Sequence, residues 1–185
     1  MESGVRNMEL KETLLSGETV FSGRLLDVRR DRIRLANGSE SIREVVRHPG
    51  GVTVLPVFDD GTVLLVRQFR YPIGEALLEA PAGKLEPGEE PEAAALRELS
   101  EETGLIPGSL TPMGAILPSP GFCDEKLSLF LARDLRQADA HPDEDELLEL
   151  VRMPLSELLD QIMDGSQYDA KTVAAALKAA RLLGL

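Results

Sequence analysis

Short apolar runs separated by turn residues make up the first third of the chain. Near the N-terminus, extended runs at residues 33–36 and 39–46 flank the pair Asn37-Gly38, a combination typical of a type I′ β-hairpin. With the run at residues 20–28, these segments predict a small antiparallel sheet. The sequence His48-Pro49-Gly50-Gly51 then interrupts the pattern. We therefore predict an N-terminal β-sheet appendage at residues 1–48 and a main domain at residues 49–185.

The main domain begins with strongly apolar runs and ends with helical spacing. Two runs around the turn Asp59-Asp60-Gly61 predict a buried hairpin at residues 52–58 and 62–69. A helix is predicted from Pro91 to Thr103, because proline suits the first turn and Gly104 is a stop signal. Further strands are predicted at residues 76–80, 127–132 and 147–152, and further helices at residues 156–163 and 170–183, the last with Asp169 as its N-cap.

Charge and composition narrow the class of function. The 185 residues carry a formal net charge of -12, and binding of nucleic acid depends on Lys and Arg, so we expect no nucleic-acid partner. A phosphate ligand would need divalent cations as mediators, although an ordinary acidic surface gives the same charge. No apolar run approaches the roughly 18 residues of a membrane span, and residues 1–20 lack the apolar stretch of a signal peptide. With a single cysteine, Cys123, these features predict a cytoplasmic protein without membrane contact.

The predicted helix after Pro91 carries the candidate chemistry. At about 100° per residue, one side of it holds Leu96, Leu99 and Thr103, with Ala95 at the border. The other side holds Glu98, Glu101 and Glu102. Like charges at this spacing destabilise a helix slightly, whereas a hard divalent cation, which takes oxygen ligands, reverses that effect.

A solvated acidic face is the alternative interpretation of these glutamates. The loop from Gly83 to Glu89 favours a site, because its two glycines allow the chain to bring Glu89 against the same helical face. Arg97 lies beside Glu101 on the helix and is placed to hold it. The combination of strand, glycine loop and acidic helix therefore predicts a metal site.

The segment GKLEPGEEPEAAALRELSEETGL resembles the Nudix hydrolase box at every defined position from Gly83 to Leu105. This resemblance implies an α+β fold, a Nudix α/β/α sandwich with a mixed sheet, in which the box binds a divalent metal. Mg²⁺ is the expected ion, and Mn²⁺ or another divalent ion is the alternative. The resemblance also assigns roles within the box. Arg97 would orient the acids and Glu89 would support them, while the metal ligands would be Glu98, Glu102, Glu101 and the carbonyl of Ala82.

Residues outside the box are similar to the ADP-ribose pyrophosphatase branch of that family, over roughly residues 20–180. The resemblance rests on the segments Arg43 to Val46, Gln68 to Arg70, Leu78 to Gly83 and Ser119 to Phe122. It implies hydrolysis of ADP-ribose to AMP and ribose 5-phosphate. The implied substrate contacts are Arg43, Glu44, Arg70, Glu79 and Gly121. Arginine suits phosphate and glutamate suits hydroxyl or amine groups.

The same branch places a catalytic acid on a late loop, and this chain has four consecutive acids at residues 143–146. Glu144 is the preferred general base and Glu146 the alternative, and a solvated turn remains a third interpretation. The resemblance further implies a homodimer in which the N-terminal sheet contributes to substrate binding. Two other functions stay open: hydrolysis of another nucleotide sugar or dinucleotide, and the role of a non-catalytic nucleotide-binding regulator.

Overall fold

The structure, a computed structural model, describes residues 10–138 and 147–185. These residues form two compact units. The first contains the residues up to His48 together with Ser119–Glu125, and the second contains Pro49–Pro118 and the chain from Lys126 onward. In chain order the elements are β1 (Thr13–Ser22), β2 (Asp27–Arg34), β3 (Glu40–Arg47), β4 (Gly51–Pro56), β5 (Thr62–Arg70), β6 (Glu75–Glu79), β7 (Ala82–Lys84), α1 (Pro91–Thr103), β8 (Leu105–Ile116), β9 (Leu127–Gln137), β10 (Leu148–Pro154), α2 (Leu155–Asp164) and α3 (Ala170–Leu183).

The first unit is built on an antiparallel sheet of order β1-β2-β3. The run predicted as one strand at residues 20–28 is divided by a turn, in which the Gly23 N–H donates to the Leu26 carbonyl at 2.9 Å. The second hairpin does turn at Asn37-Gly38, but only Gly38 has a positive φ. The predicted type I′ turn is therefore wrong, since that type needs positive φ at both residues. The Asn37 side chain instead accepts a hydrogen bond from the Ser39 N–H.

A segment from the middle of the sequence completes the first unit. Residues 119–125, assigned to the main domain from the sequence, lie along the end of β3. The Val46 N–H donates to the Phe122 carbonyl at 2.7 Å. Asp124 accepts from the Arg47 guanidinium at 2.7 Å and from the His48 N–H at 2.9 Å. The first unit is thus discontinuous in sequence.

The second unit contains two sheets, of orders β7-β4-β9-β8 and β10-β5-β6. Strands β4 and β9 are parallel and the other pairs are antiparallel, so the first of these sheets is mixed. The predicted hairpin of residues 52–58 and 62–69 is confined to its turn, where Val57 and Val63 form a bridge and the Phe58 N–H donates to the Thr62 carbonyl at 2.8 Å, because β4 and β5 belong to different sheets. Strand β4 is buried along its whole length, as expected of a strand covered on both faces.

Helices cover the two faces of this unit and define two apolar clusters. One cluster joins β4 to the buried residues Ala94, Ala95 and Leu99 of α1. The other joins β4, β5 and β9 to α2 and to alanines of α3. This arrangement is the expected α+β sandwich with a mixed sheet. No helix within the described ranges is both long and apolar enough to cross a membrane.

Candidate active site

Helix α1 presents the acidic residues, and its ends lie where the sequence places them. Pro91 occupies the first turn, and Gly104 ends the helix with φ 67° and donates its N–H to the Ser100 carbonyl at 2.8 Å. Leu99 is fully buried, whereas Leu96 is 41% exposed, so the prediction that Leu96 shares the buried side is wrong. Glu102 lies at the edge of the buried side and is only 7% exposed.

Gly83 leaves the space that the Glu98 carboxylate occupies. A Cβ atom built on Gly83 would lie 1.9 Å from both the Cδ and the Oε1 atoms of Glu98. No side chain at residue 83 is compatible with that position of the carboxylate. The glycine at the start of the box therefore allows an acid on α1 to lie directly against the backbone of β7.

Glu102 is also fixed to β7. Its Oε2 atom accepts a hydrogen bond from the Ala82 N–H at 3.2 Å. Two acids of α1 thus approach consecutive residues of the strand, Ala82 and Gly83. The carboxylates of Glu98 and Glu102 thus both lie against the backbone of β7.

Arg97 lies among the remaining acids. Its Nε and Nη2 atoms donate to the two oxygens of Glu89, each at 2.9 Å. Its Nη1 atom donates to Glu98 at 2.8 Å and to Glu101 at 3.0 Å. The bonds from Arg97, with a further one from the Glu86 N–H, lower the pKa of Glu89 to about 2. Its bonds to Glu89 are likewise the largest cause of a raised pKa at Arg97.

Arg70 and Glu79, two predicted substrate contacts, bind each other across the β5–β6 hairpin. The Nε and Nη2 atoms of Arg70 donate to the two oxygens of Glu79, each at 2.7 Å. Arg70 is 41% exposed at its side chain and Glu79 only 1%. Burial acts to raise the pKa of Glu79, but its bonds from Arg70 and Lys171 outweigh burial, so the pKa lies below its usual value.

The other predicted substrate contacts belong to the first unit. Arg43 pairs with Glu12 through two hydrogen bonds. Gly121 faces open space, with no heavy atom within 4 Å of the position that a Cβ atom would take. Glu44 lines a surface pocket of about 540 Å³. The other residues around this pocket are Val20, Val28, Arg30, Val46 and Phe122. The predicted bases, Glu144 and Glu146, lie outside the described residues.

A sequence model of the NUDIX domain matches residues 47–176. The chain belongs to the Nudix family. A second model, the nucleoside diphosphate sugar hydrolase N-terminal domain, matches residues 12–46. The chain is therefore a Nudix hydrolase of nucleoside diphosphate derivatives, as its box indicates.

Individual relatives cover nearly the whole chain. An ADP-ribose pyrophosphatase of Bacillus subtilis is 45% identical over 90% of this chain and 91% of its own. A methanol dehydrogenase activator of Bacillus methanolicus is 41% identical over 89% and 90%. A crystal structure of an ADP compounds hydrolase matches with a TM-score of 0.82 and 30% identity, and covers 94% of this chain and 95% of its own.

Nudix hydrolases generally use a divalent metal, and the donor atoms of this chain fit one. Carboxylates and a backbone carbonyl are the oxygen ligands of hard cations, and the charge of Glu89, Glu98, Glu101 and Glu102 together exceeds the single positive charge of Arg97. Because Gly83 has no side chain, the Glu98 carboxylate can lie against the backbone of β7. Within residues 10–138 and 147–185, no three His, Cys, Asp or Glu side chains are already arranged around a common point for an ion. Three of the acids turn towards Arg97 instead.

Replacement of Arg97 by methionine should lower the free energy of unfolding at neutral pH and have less effect in acid. The lowered pKa of Glu89 means that its pairing with Arg97 stabilises the fold above about pH 4.5 and is lost as the pH falls towards 2. Urea denaturation in the presence of a chelator, at pH 7 and pH 3, measures the difference. Arg136→Met is the control, because Arg136 is exposed and makes no ion pair with another described residue. An equal loss at both pH values would contradict the role given to this pair.

Sequence reasoning missed Lys171 and Asp169 as neighbours of the candidate site. Lys171 donates to Glu79 and to Asp169, but Lys171 and Glu79 are 92 positions apart in sequence. Asp169 was predicted correctly as the N-cap of α3, where it accepts from the Thr172 N–H at 3.0 Å. No local pattern signals its second contact, since only the fold brings α3 to the end of β6.

Proposed function

We propose that this Nudix hydrolase splits the pyrophosphate bond of ADP-ribose, with Mg²⁺ as cofactor, and releases AMP and ribose 5-phosphate. The observation that carries the proposal is the contact of Glu98 and Glu102 with the backbone at Gly83 and Ala82. It brings two carboxylates of α1 against the backbone of β7. The choice of ADP-ribose is supported by the relative from Bacillus subtilis, whose name states that substrate.

The metal ligands in this proposal are Glu98, Glu101, Glu102 and the carbonyl of Ala82. Divalent ions neutralise phosphate oxygens and lower the pKa of bound water, which is the chemistry that pyrophosphate hydrolysis needs. Arg97 holds Glu98 and Glu101 in place by the hydrogen bonds of its Nη1 atom. Mn²⁺ is the alternative ion, since both cations prefer oxygen donors.

Arginines bind the phosphates and a glutamate binds the nucleoside in this proposal. Arg70 is the better supported phosphate ligand, because its guanidinium is held rigidly by Glu79 and remains partly exposed. Arg43 is the second, after exchange of its pairing with Glu12. Glu44 accepts hydrogen bonds from hydroxyl or amine groups at the pocket that it lines. Gly121 offers an uncrowded backbone to the substrate.

The attacking water loses its proton to a carboxylate of the acidic segment at residues 143–146. Glu144 is our first choice and Glu146 the second. A comparison of Glu144→Gln with Glu146→Gln identifies the base by the larger loss of kcat. Small, equal losses would mean that neither residue has this role.

We also propose that the protein is a cytoplasmic homodimer whose first unit supplies Arg43 and Glu44 to the substrate. Exposed apolar side chains on β1 support the proposal of a dimer, namely Leu14, Val20 and Phe21, each more than half exposed. Light scattering of the full chain tests the dimer, and the mass of one chain would refute it.

The decisive experiment is a chromatographic screen of nucleoside diphosphate derivatives with Mg²⁺. We expect ADP-ribose to give AMP and ribose 5-phosphate with the highest kcat/KM among ADP-ribose, ADP-glucose, GDP-mannose and dinucleotides. A compound that is cleaved about tenfold faster would replace ADP-ribose as the preferred substrate. Binding without turnover of any compound would favour a regulatory nucleotide-binding role, and the name of the Bacillus methanolicus relative, an activator, makes that outcome worth testing.

A further inference from the structure

Lys171 is a lysine with little contact with solvent and two acidic partners. It lies in the first turn of α3, and its side chain is 13% exposed. The ammonium group donates to Glu79 Oε2 and, at 3.0 Å, to Asp169 Oδ1. Lysines are rarely buried to this extent unless they are paired. The pairing therefore points to a role for Lys171 at Glu79.

Glu79 is too deeply buried in this structure for a direct contact with substrate. Its side chain is 1% exposed, and both of its oxygens are bound by Arg70, one of them also by Lys171. The hairpin geometry places Arg70 and Glu79 on the same face, so the guanidinium lies flat against a fixed carboxylate. A bidentate pair of this kind fixes the orientation of an arginine.

The orientation leaves one end of Arg70 available. Its Nε and Nη2 atoms bind Glu79, whereas Nη1 makes no hydrogen bond to another of the described residues. The hydrogen bonds to Glu79 are the main cause of the raised pKa of Arg70, and the charge of Glu102 also contributes to it.

Lys171 shares the Glu79 carboxylate with Arg70 and is itself paired with Asp169, so two cations and two acids alternate in one hydrogen-bonded network. Within this network Lys171 fixes the position of Glu79, and Glu79 fixes that of Arg70. Asp169 in turn is occupied at its other oxygen by the N–H and hydroxyl of Thr172. The Thr172 hydroxyl also accepts from the Ala80 N–H at 2.7 Å, which connects the first turn of α3 to the strand end beside Glu79.

We propose that Lys171 is a positioning residue that acts through Glu79 on Arg70, and that it keeps the guanidinium of Arg70 in one orientation for a substrate phosphate. The inference rests on the proposed function, in which Arg70 binds the pyrophosphate. Lys171 itself touches no reacting atom. Its contribution should therefore appear in substrate affinity and depend on the presence of Arg70.

The test combines Lys171→Met with Arg70→Gln and the double variant. For each protein, kcat and KM are measured with ADP-ribose, and Kd with its non-hydrolysable α,β-methylene analogue. We expect Lys171→Met to raise KM and Kd about tenfold and to leave kcat within about twofold. In the Arg70→Gln background, Lys171→Met should have no further effect on Kd. Lys171→Arg should restore most of the affinity, because it keeps the charge.

Lys178→Met is the matched control. Lys178 lies two turns further along the same helix, and its ammonium group donates to the Met113 carbonyl at 2.9 Å. Lys178 is exposed, whereas Lys171 is mostly buried, so this variant controls for the loss of a lysine and its hydrogen bond from α3. KM and Kd should be unchanged in Lys178→Met. Thermal unfolding of all variants separates stability from affinity.

The outcomes distinguish the positioning role of Lys171 from the proposed substrate. Wild-type affinity in Lys171→Met, or equal effects of Lys171→Met with and without Arg70, overturns the positioning role and leaves the hydrolase assignment intact. Unaltered affinity in Arg70→Gln removes Arg70 from the substrate site, and the positioning role falls with it. If the wild-type chain neither binds the analogue nor cleaves ADP-ribose, the substrate proposal fails, and the same variants are compared on whichever compound the screen identifies. If it identifies none, both proposals fail.

Discussion

Replacement of Glu102 by glutamine should lower kcat about a thousandfold while the fold is retained. The substitution removes one negative charge from the proposed metal ligands, and a loss of about 4 kcal/mol of transition-state stabilisation corresponds to that factor. The shape of the side chain is unchanged, and the amide oxygen of glutamine can still accept the Ala82 N–H that Glu102 accepts. In chelator, the free energy of unfolding should not fall, because one of several neighbouring like charges is removed.

Steady-state kinetics with Mg²⁺ and calorimetric titration with the metal check this prediction. Glu92→Gln is the matched control, since Glu92 lies in the first turn of the same helix and is exposed. It changes the net charge equally and should keep kcat within about twofold. A Glu102→Gln protein with nearly wild-type kcat would show that Glu102 holds no metal.

Gly83→Ala should lower kcat about a hundredfold with little change in stability. The new Cβ atom would occupy the position of the Glu98 carboxylate, 1.9 Å from its Cδ, so the carboxylate must move. The end of a glutamate side chain moves at low cost. A displacement of a catalytic group by about 1 Å is enough to lower kcat about a hundredfold. The substitution therefore tests the position of Glu98 without altering Glu98 itself.

Gly61→Ala provides the opposite control for Gly83→Ala. Gly61 has φ +79°, and no atom lies within 4 Å of its Cβ position. An alanine there strains the backbone by about 1–2 kcal/mol but displaces no neighbouring group, so stability should fall and kcat should not. Thermal unfolding and kcat, measured on both variants, give the comparison. Wild-type kcat in Gly83→Ala would mean that the catalytic position of Glu98 is elsewhere.

The box could be predicted from the sequence almost residue by residue because helix start and stop signals act locally. Pro91 and Gly104 delimit α1 because one lacks an N–H and the other tolerates a positive φ, and both effects act within a few residues. The acids of α1 then follow from helical geometry alone. Gly83 was recognised from the box, but its contact with Glu98 requires the structure, since the glycine and the acid belong to different elements.

Structural features that depend on residues far apart in the chain could not be predicted from the sequence. Strand β8 was not predicted, because Pro107 and Pro112 lower its strand propensity. The structure accommodates these prolines because β8 is an edge strand that pairs only with β9 in its sheet and has an irregularity after Pro112. Strand β7, with three residues, is too short to show a pattern. The separation of β4 from β5 into two sheets likewise depends on partners far along the chain, whereas the turn between them looks like an ordinary hairpin.

The discontinuous first unit has a consequence for how the chain folds during synthesis. Asp124, which binds the His48 N–H, follows it by 76 positions. At about 5–20 residues per second, a ribosome needs about 4–15 s to add that length. For this interval the end of β3 is outside the ribosome without the strand segment that later pairs with it, and exposed strand edges favour association with other chains. We expect nascent chains that stall before residue 119 to be the form of this protein that most needs a chaperone.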